Sequence, residues 1–238
     1  MYNNYIFDLY GTLVDINTDE ESSTLWEKLS LFYTLKGAEY NAETLKNRYK
    51  ELVKEKFSTI KEIQYPDFQL TEIFEKLYLD KYINPSDELI FNTAQFFRVL
   101  SITYLRLYDG IIEILEKLKE NGKKIYLLSN AQSIFTFYEM KALGIEKYFD
   151  GICFSADYNM CKPEKGFYES LLNRYNINAS ESIMVGNDYL ADIIGAKSVG
   201  LDTLYIHSNL SPELKYNIES TFSIMDGDFK KITQIIVK

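Results

Sequence analysis

The chain has 238 residues, of which 46% are hydrophobic and 15% aromatic, and its net charge is −9 at pH 7. That length suits one large domain or a core with an insertion, with apolar residues enough for a packed interior. The acidity argues against a nucleic-acid partner or an anionic membrane surface, while a locally positive site remains open to a small anionic substrate. Two cysteines, Cys153 and Cys161, form neither a disulfide framework nor a zinc spacing. Lys162, next in the chain, is expected to lower the Cys161 pKa. The single histidine, His207, reads as structural or surface, which leaves thiol or Ser-His-Asp catalysis without a base. No leader-like segment opens the chain, and no run reaches the roughly 18 apolar residues of a membrane span. A cytoplasmic protein, monomer or homodimer, is the expectation.

Residues 4–9 read as a strand. The run Tyr5-Ile6-Phe7 ends in Asp8, with Gly11 and Thr12 close behind. In an open α/β sheet this puts Asp8 at the carboxyl edge, where ligands bind. A plain turn-capping role is the alternative. From 17 to 104 the pattern is amphipathic helix without clear strands. Trp26, Leu29 and Phe32 mark one apolar face, and Asn41 caps a second helix through Leu45, Tyr49 and Leu52. Pro66-Asp67 opens a third, where Leu70, Ile73, Phe74, Leu77 and Tyr78 form a core stripe. A fourth starts near Ser86. These stripes read as bundle core, so a helical cap over 17–104 is expected, inserted into a core made of 1–16 and 105–238.

After Tyr108 the rhythm becomes strand and helix in alternation. Asp109 caps a helix ended by Gly122, and strands follow at 124–128, 151–155, 182–185 and 203–206. Five strands alternating with helices predict a Rossmann-like parallel sheet with helices on both faces. Its carboxyl edge then gathers Asp8 with Thr12, Ser129 with Asn130, Lys162, and Asn187-Asp188 with Asp192.

Those loops resemble the four motifs of the haloacid dehalogenase superfamily: Phe7-Asp8-Leu9-Tyr10-Gly11-Thr12-Leu13, Leu128-Ser129-Asn130, Lys162-Pro163-Glu164, and Val185-Gly186-Asn187-Asp188 with Asp192. The helical insertion resembles the C1-cap subgroup. The resemblance implies that Asp8 is a nucleophile forming a covalent aspartyl intermediate. A carboxylate is ionised at pH 7 and needs no activating base. It implies that Thr12, Ser129 and the backbone N–H groups after Asp8, beginning at Leu9, hold the substrate's oxygens. Lys162 would balance charge; Asn130 would orient substrate or serve only the turn. The implied metal set is Asp8, Tyr10, Asn187, Asp188 and Asp192 around Mg²⁺.

One position departs from the phosphatase pattern. Tyr10 stands where phosphatases of the family carry an acid/base aspartate, and a phenol is a poor base at neutral pH. Tyr10 and Tyr168 instead resemble the 2-haloacid dehalogenases, whose halide leaves without a proton and which use no metal. Against that, no arginine precedes Arg48 to grip a haloacid carboxylate; Arg48, Arg98 and Arg106 are the substitutes. Asp8, Asp188 and Asp192 facing one lysine call for a hard cation such as Mg²⁺. Asn187 is a step toward the metal-free pattern, and Asp192 has the alternative of orienting Lys162. Three readings follow: a Mg²⁺-dependent phosphatase on a small phosphomonoester, a metal-independent 2-haloacid dehalogenase, and a non-catalytic small-anion-binding protein.

Overall fold

The computed structural model describes residues 2–214 and 217–236. In chain order its strands are β1 (Asn4–Phe7), β2 (Val14–Thr18), β3 (Ile102–Leu107), β4 (Lys124–Ser129), β5 (Gly151–Phe154), β6 (Ser182–Gly186), β7 (Asp202–Ile206) and β8 (Phe222–Ile224). The helices are α1 (Ser23–Leu35), α2 (Ala42–Thr59), α3 (Thr71–Leu79), α4 (Asp87–Ser101), α5 (Ile111–Glu120), α6 (Ser133–Ala142), α7 (Lys165–Tyr175), the single turn α8 (Gly195–Lys197) and α9 (Lys231–Ile236).

Six strands pair in the order β5-β4-β1-β6-β7-β8, all parallel. β1 lies inside the sheet, and its side chains alternate between two cores. Tyr5 and Phe7 pack with the buried face of α5 (Ile111, Ile114, Leu115 and Leu118). Ile6 packs with Phe167, Tyr168 and Leu171 of α7. Every one of these residues is buried, as expected for a parallel sheet covered on both faces. Register then aligns the loops. Phe7 pairs with Leu127 on one side and Val185 on the other, so Asp8, Ser129 and Asn187 emerge at one edge.

Helices α1 to α4 share a separate core rich in aromatics, with Trp26 5.4 Å from Tyr49 and Phe74 5.4 Å from Phe97. Phe135 of α6 joins this cluster, 6.3 Å from Phe97. Asn41 and Ser86 cap α2 and α4 by accepting from Thr44 N and Leu89 N, contacts each worth about 1 kcal/mol.

Several elements differ from the sequence reading. β1 stops at Phe7, and Asp8 already donates its N–H to the Val185 carbonyl. α3 begins at Thr71, because Asp67 turns its carboxylate to Ser155 and Gln132 instead of opening the helix. Gly110, at φ 86°, precedes α5 where Asp109 was expected as the cap. The sheet has a sixth strand, β8. β2 and β3 form an antiparallel ribbon that carries the chain to and from the four helices, with Val14 opposite Leu107 and Asp15 opposite Arg106.

Candidate active site

Asp8 is 7% exposed and sits among three of the predicted partners. Its Oδ1 accepts from Lys162 Nζ at 2.7 Å and from Ser129 Oγ at 3.2 Å. Among the described residues its Oδ2 has only Thr12 Oγ1, at 3.5 Å, a long contact. One carboxylate oxygen is therefore held and the other is nearly free. Thr12 donates its firmer bond to Asn187 Oδ1, at 3.1 Å. Asn187 packs so tightly over Gly11 that a Cβ there would overlap its amide, and Gly11 has φ +85°. Only glycine fits that combination.

Lys162 is buried between two carboxylates, with Nζ also 2.7 Å from Asp192 Oδ1. Burial opposes its charge, but Asp192 and Asp8 outweigh burial and raise its pKa, so it is an ammonium. Burial likewise lifts the Asp192 carboxyl, with Lys162 pulling it back down. Asp192 Oδ2 accepts from Asp188 N at 2.9 Å. Both Asp192 oxygens thus accept a hydrogen bond, one from Lys162 and one from the Asp188 N–H. Gly186 makes room for it, since a Cβ there would collide with the Asp192 carboxylate. The turn Tyr189–Ile194 is π-wound where an α-helix was expected.

Asn130 binds the backbone of Lys162 twice: Oδ1 accepts from the N–H at 2.7 Å and Nδ2 donates to the carbonyl at 3.0 Å. It anchors the Lys162 loop. Tyr168 is fully buried and donates to the Ala191 carbonyl at 2.6 Å, bracing the turn. The Leu9 carbonyl closes the loop by accepting from Leu13 and Val14, while its N–H donates to no described residue.

The Tyr10 hydroxyl is turned away from Asp8. It donates to Glu139 Oε2 at 2.6 Å and lies 3.0 Å from Thr136 Oγ1 and 3.3 Å from Arg98. Burial, with the Glu139 charge added, pushes the phenol far above its ordinary value, so it stays protonated. Of Tyr10 only the main-chain carbonyl, which accepts no hydrogen bond among the described residues, is available to a metal. Glu139 carried no signal in the sequence.

These loops border a cavity of about 170 Å³ lined by Asp8, Tyr10, Ser129, Asn130, Lys162, Asn187, Asp188 and Asp192, with Leu210 and Pro212 as an apolar edge. That edge comes from the loop after β7, a contribution absent from the sequence reading. Asn209 pins the loop by donating to Asp15 at 2.9 Å while accepting from Tyr108. The other candidates are engaged elsewhere. Arg48 pairs with Asp80, Arg98 with Glu139 and Arg106 with Asp15, and Arg174 donates to the Tyr158 hydroxyl. His207 contacts Tyr205. Burial, reinforced by Asp67, pushes the Cys161 thiol up to about 12, the reverse of the lowering expected from Lys162.

Among the described residues no three acidic, histidine or cysteine side chains converge as a ready metal cage. Asp8, Tyr10, Asn187 and Asp188 line the cavity and would bring two carboxylates, an amide oxygen and a main-chain carbonyl. That oxygen set fits Mg²⁺, which takes one or two carboxylates and keeps several waters.

The family model described as haloacid dehalogenase-like hydrolase matches residues 2–200. The chain is 26% identical over 200 residues to the glyceraldehyde 3-phosphate phosphatase of Pyrococcus abyssi, covering 84% of this chain and 79% of that one. It is 25% identical over 242 residues to the (S)-2-haloacid dehalogenase 4A of Burkholderia cepacia, covering 96% of each. Among solved structures, a 2-haloacid dehalogenase from Pseudomonas syringae superposes with TM-score 0.65 at 18% identity, over 98% of this chain and 97% of that one. A phosphatase from Thermococcus onnurineus gives 0.62 at 20%, over 99% and 98%. At such identities these likenesses speak to the fold.

Proposed function

The chain belongs to the haloacid dehalogenase-like hydrolases, and we propose that it acts as a Mg²⁺-dependent phosphatase on a small phosphate ester. The observation that carries this reading is the charge inventory of the cavity. Among the described residues, Asp8, Asp188 and Asp192 face a single ammonium, Lys162, and all four arginines of the chain are engaged elsewhere. An anionic substrate entering that cavity needs a cation to come with it. Asp8 and Asp188, with Asn187 and the Tyr10 carbonyl, would hold it. Such a cation supplies neutralising charge at the phosphoryl oxygens.

The protein's own groups do the rest. Lys162 and Ser129 fix Asp8 Oδ1 and leave Oδ2 as the attacking oxygen. Attack at phosphorus forms the aspartyl phosphate, and water then cleaves it to return the carboxylate. The Leu9 N–H is a donor at hand for the phosphoryl oxygens, and the Ser129 and Thr12 hydroxyls would add theirs by turning from Asp8 and Asn187. The phosphatase name of the Pyrococcus relative supports the same chemistry.

A metal-independent 2-haloacid dehalogenase is the second reading. It is favoured by the Tyr10 hydroxyl, which is tied to Glu139 and unavailable as an acid that halide does not need. The dehalogenase relative supports it. One paired assay separates the two: phosphate release from 4-nitrophenyl phosphate with Mg²⁺ or chelator, and halide release from 2-chloropropionate, each with Asp8→Asn as control. Metal-dependent phosphate release lost in Asp8→Asn is the expected result. Halide release in chelator would replace it with the second reading, and silence in both would leave a small-anion-binding protein.

A further inference from the structure

Breaking a phosphate ester leaves charge on the departing oxygen, and an alkoxide needs a proton as it goes, whereas aryl, enol and acyl oxygens do not. Among the described residues that line the cavity, no side chain is free to give that proton. Ser129 donates to Asp8, and Lys162 directs its ammonium at Asp8 and Asp192. Asn130 is bound to the Lys162 backbone. The Tyr10 hydroxyl, on the residue two places after the nucleophile, donates to Glu139 and lies against Arg98 and Thr136, and the Thr12 hydroxyl donates to Asn187. Asp188 and Asp192 act as acceptors, from Ala191 N and Asp188 N. The rest of the described lining is the Asn187 amide and the apolar Ala191, Leu210 and Pro212.

Resting on the phosphatase reading, we propose that the site takes phosphates whose leaving group departs as a stable anion (aryl, enol or acyl phosphates) and turns over alkyl phosphates poorly. Asp8 Oδ2 attacks phosphorus, the bond from phosphorus to the leaving oxygen breaks, and that oxygen keeps the electron pair. It departs as phenolate, enolate or carboxylate with no proton from the protein. Water then attacks the aspartyl phosphate, the phosphorus–Asp8 bond breaks, and the water's proton leaves with phosphate. The body of the leaving group has Leu210 and Pro212 to rest against.

The test is kcat/KM with Mg²⁺ for 4-nitrophenyl, phenyl and ethyl phosphate, in the wild type and in Tyr10→Phe and Tyr10→Asp. A positioned acid is worth about 10²–10⁴-fold, so ethyl phosphate is expected at least about 10²-fold below the nitrophenyl ester. Tyr10→Phe should leave the ratio of the two within about twofold, since the lost hydroxyl gave no proton. Tyr10→Asp should raise ethyl relative to nitrophenyl about tenfold or more by placing an acid beside Asp8. Ethyl and nitrophenyl esters cleaved within about tenfold of each other would overturn the proposal while leaving the phosphatase reading intact. A loss confined to ethyl phosphate in Tyr10→Phe would do the same. Turnover of no ester at all would overturn the phosphatase reading, and this proposal with it.

Discussion

Two buried charge clusters meet the loop that follows β1, one at Asp8 and one at Tyr10. In the first, Lys162 lies between Asp8 and Asp192. In the second, Arg98 pairs with Glu139 at 2.6 Å, Tyr10 donates to the same carboxylate, and the guanidinium lies over the Phe135 ring. The side chains of Arg98 and Glu139 are only 12% and 8% exposed. The clusters share an architecture of one cation held by acceptors. They differ in what is left over. The Arg98 cluster closes on itself and ties α4 to α6. The Lys162 cluster leaves Asp8, which lines the cavity, with an Oδ2 that has no firm partner among the described residues. A buried ion pair consumes its own charge when every oxygen is matched, and it can do chemistry only where one is not.

Removing the unmatched oxygen is the largest expected effect. Asp8→Asn should lower phosphate release about 10⁴-fold or more, as loss of a nucleophile does, with the folded state retained by circular dichroism. Substantial turnover in that variant would erase the distinction between the clusters. Next comes the closed cluster. Glu139→Ala strands the Arg98 charge in the interior and should cost about 3–5 kcal/mol in urea unfolding. The double variant Arg98→Met with Glu139→Ala should recover much of that, because the stranded charge goes with it. A cost below about 1 kcal/mol for the single variant would put this pair with surface bridges, which contribute little.

Lys162→Met reads the open cluster through pH. Without the ammonium, Asp8 and Asp192 share a buried site, and burial already lifts the Asp192 carboxyl. A carboxyl whose folded-state pKa stands above its unfolded value binds more protons when folded, so stability falls as pH rises. The variant should lose about 2 kcal/mol more at pH 8 than at pH 5 in urea unfolding. An equal loss at both would mean that Lys162 does not neutralise the pair.

Much of the open cluster was legible in the sequence, and almost none of the closed one. Asp8, Ser129 and Asn187 each end an apolar run, and parallel register brings the ends of such runs together, while Lys162 was marked by its place after a strand and before Pro163. Glu139 lies 129 residues from Tyr10, on a helix whose sequence marks no charged position as buried. The ribbon was hidden for a local reason. Ile102–Leu107 continues directly from α4, so its apolar residues read as more helix, while β2 starts within a few residues of the Gly11 turn. β8 is three residues long, too short for an alternating pattern to show. The tyrosines misled in opposite ways. Tyr168 donates to the Ala191 carbonyl, and Tyr10 lines the cavity while its hydroxyl belongs to the other cluster.

That last residue also offers the smallest and most discriminating test, since it belongs to both clusters through different atoms. Tyr10→Phe keeps the main-chain carbonyl and the ring, which lies 5.8 Å from the Arg98 guanidinium, and removes only the hydroxyl. Glu139 then loses its 2.6 Å donor but keeps Arg98. A hydrogen bond to a charged group is worth about 1.5–3 kcal/mol, and with the arginine still in place the expected loss is about 1.5 kcal/mol in urea unfolding. A double-mutant cycle with Glu139→Gln should show that this loss depends on the carboxylate, with a coupling of about 1 kcal/mol. Zero coupling would detach Tyr10 from the closed cluster and return its hydroxyl to the nucleophile's side of the loop.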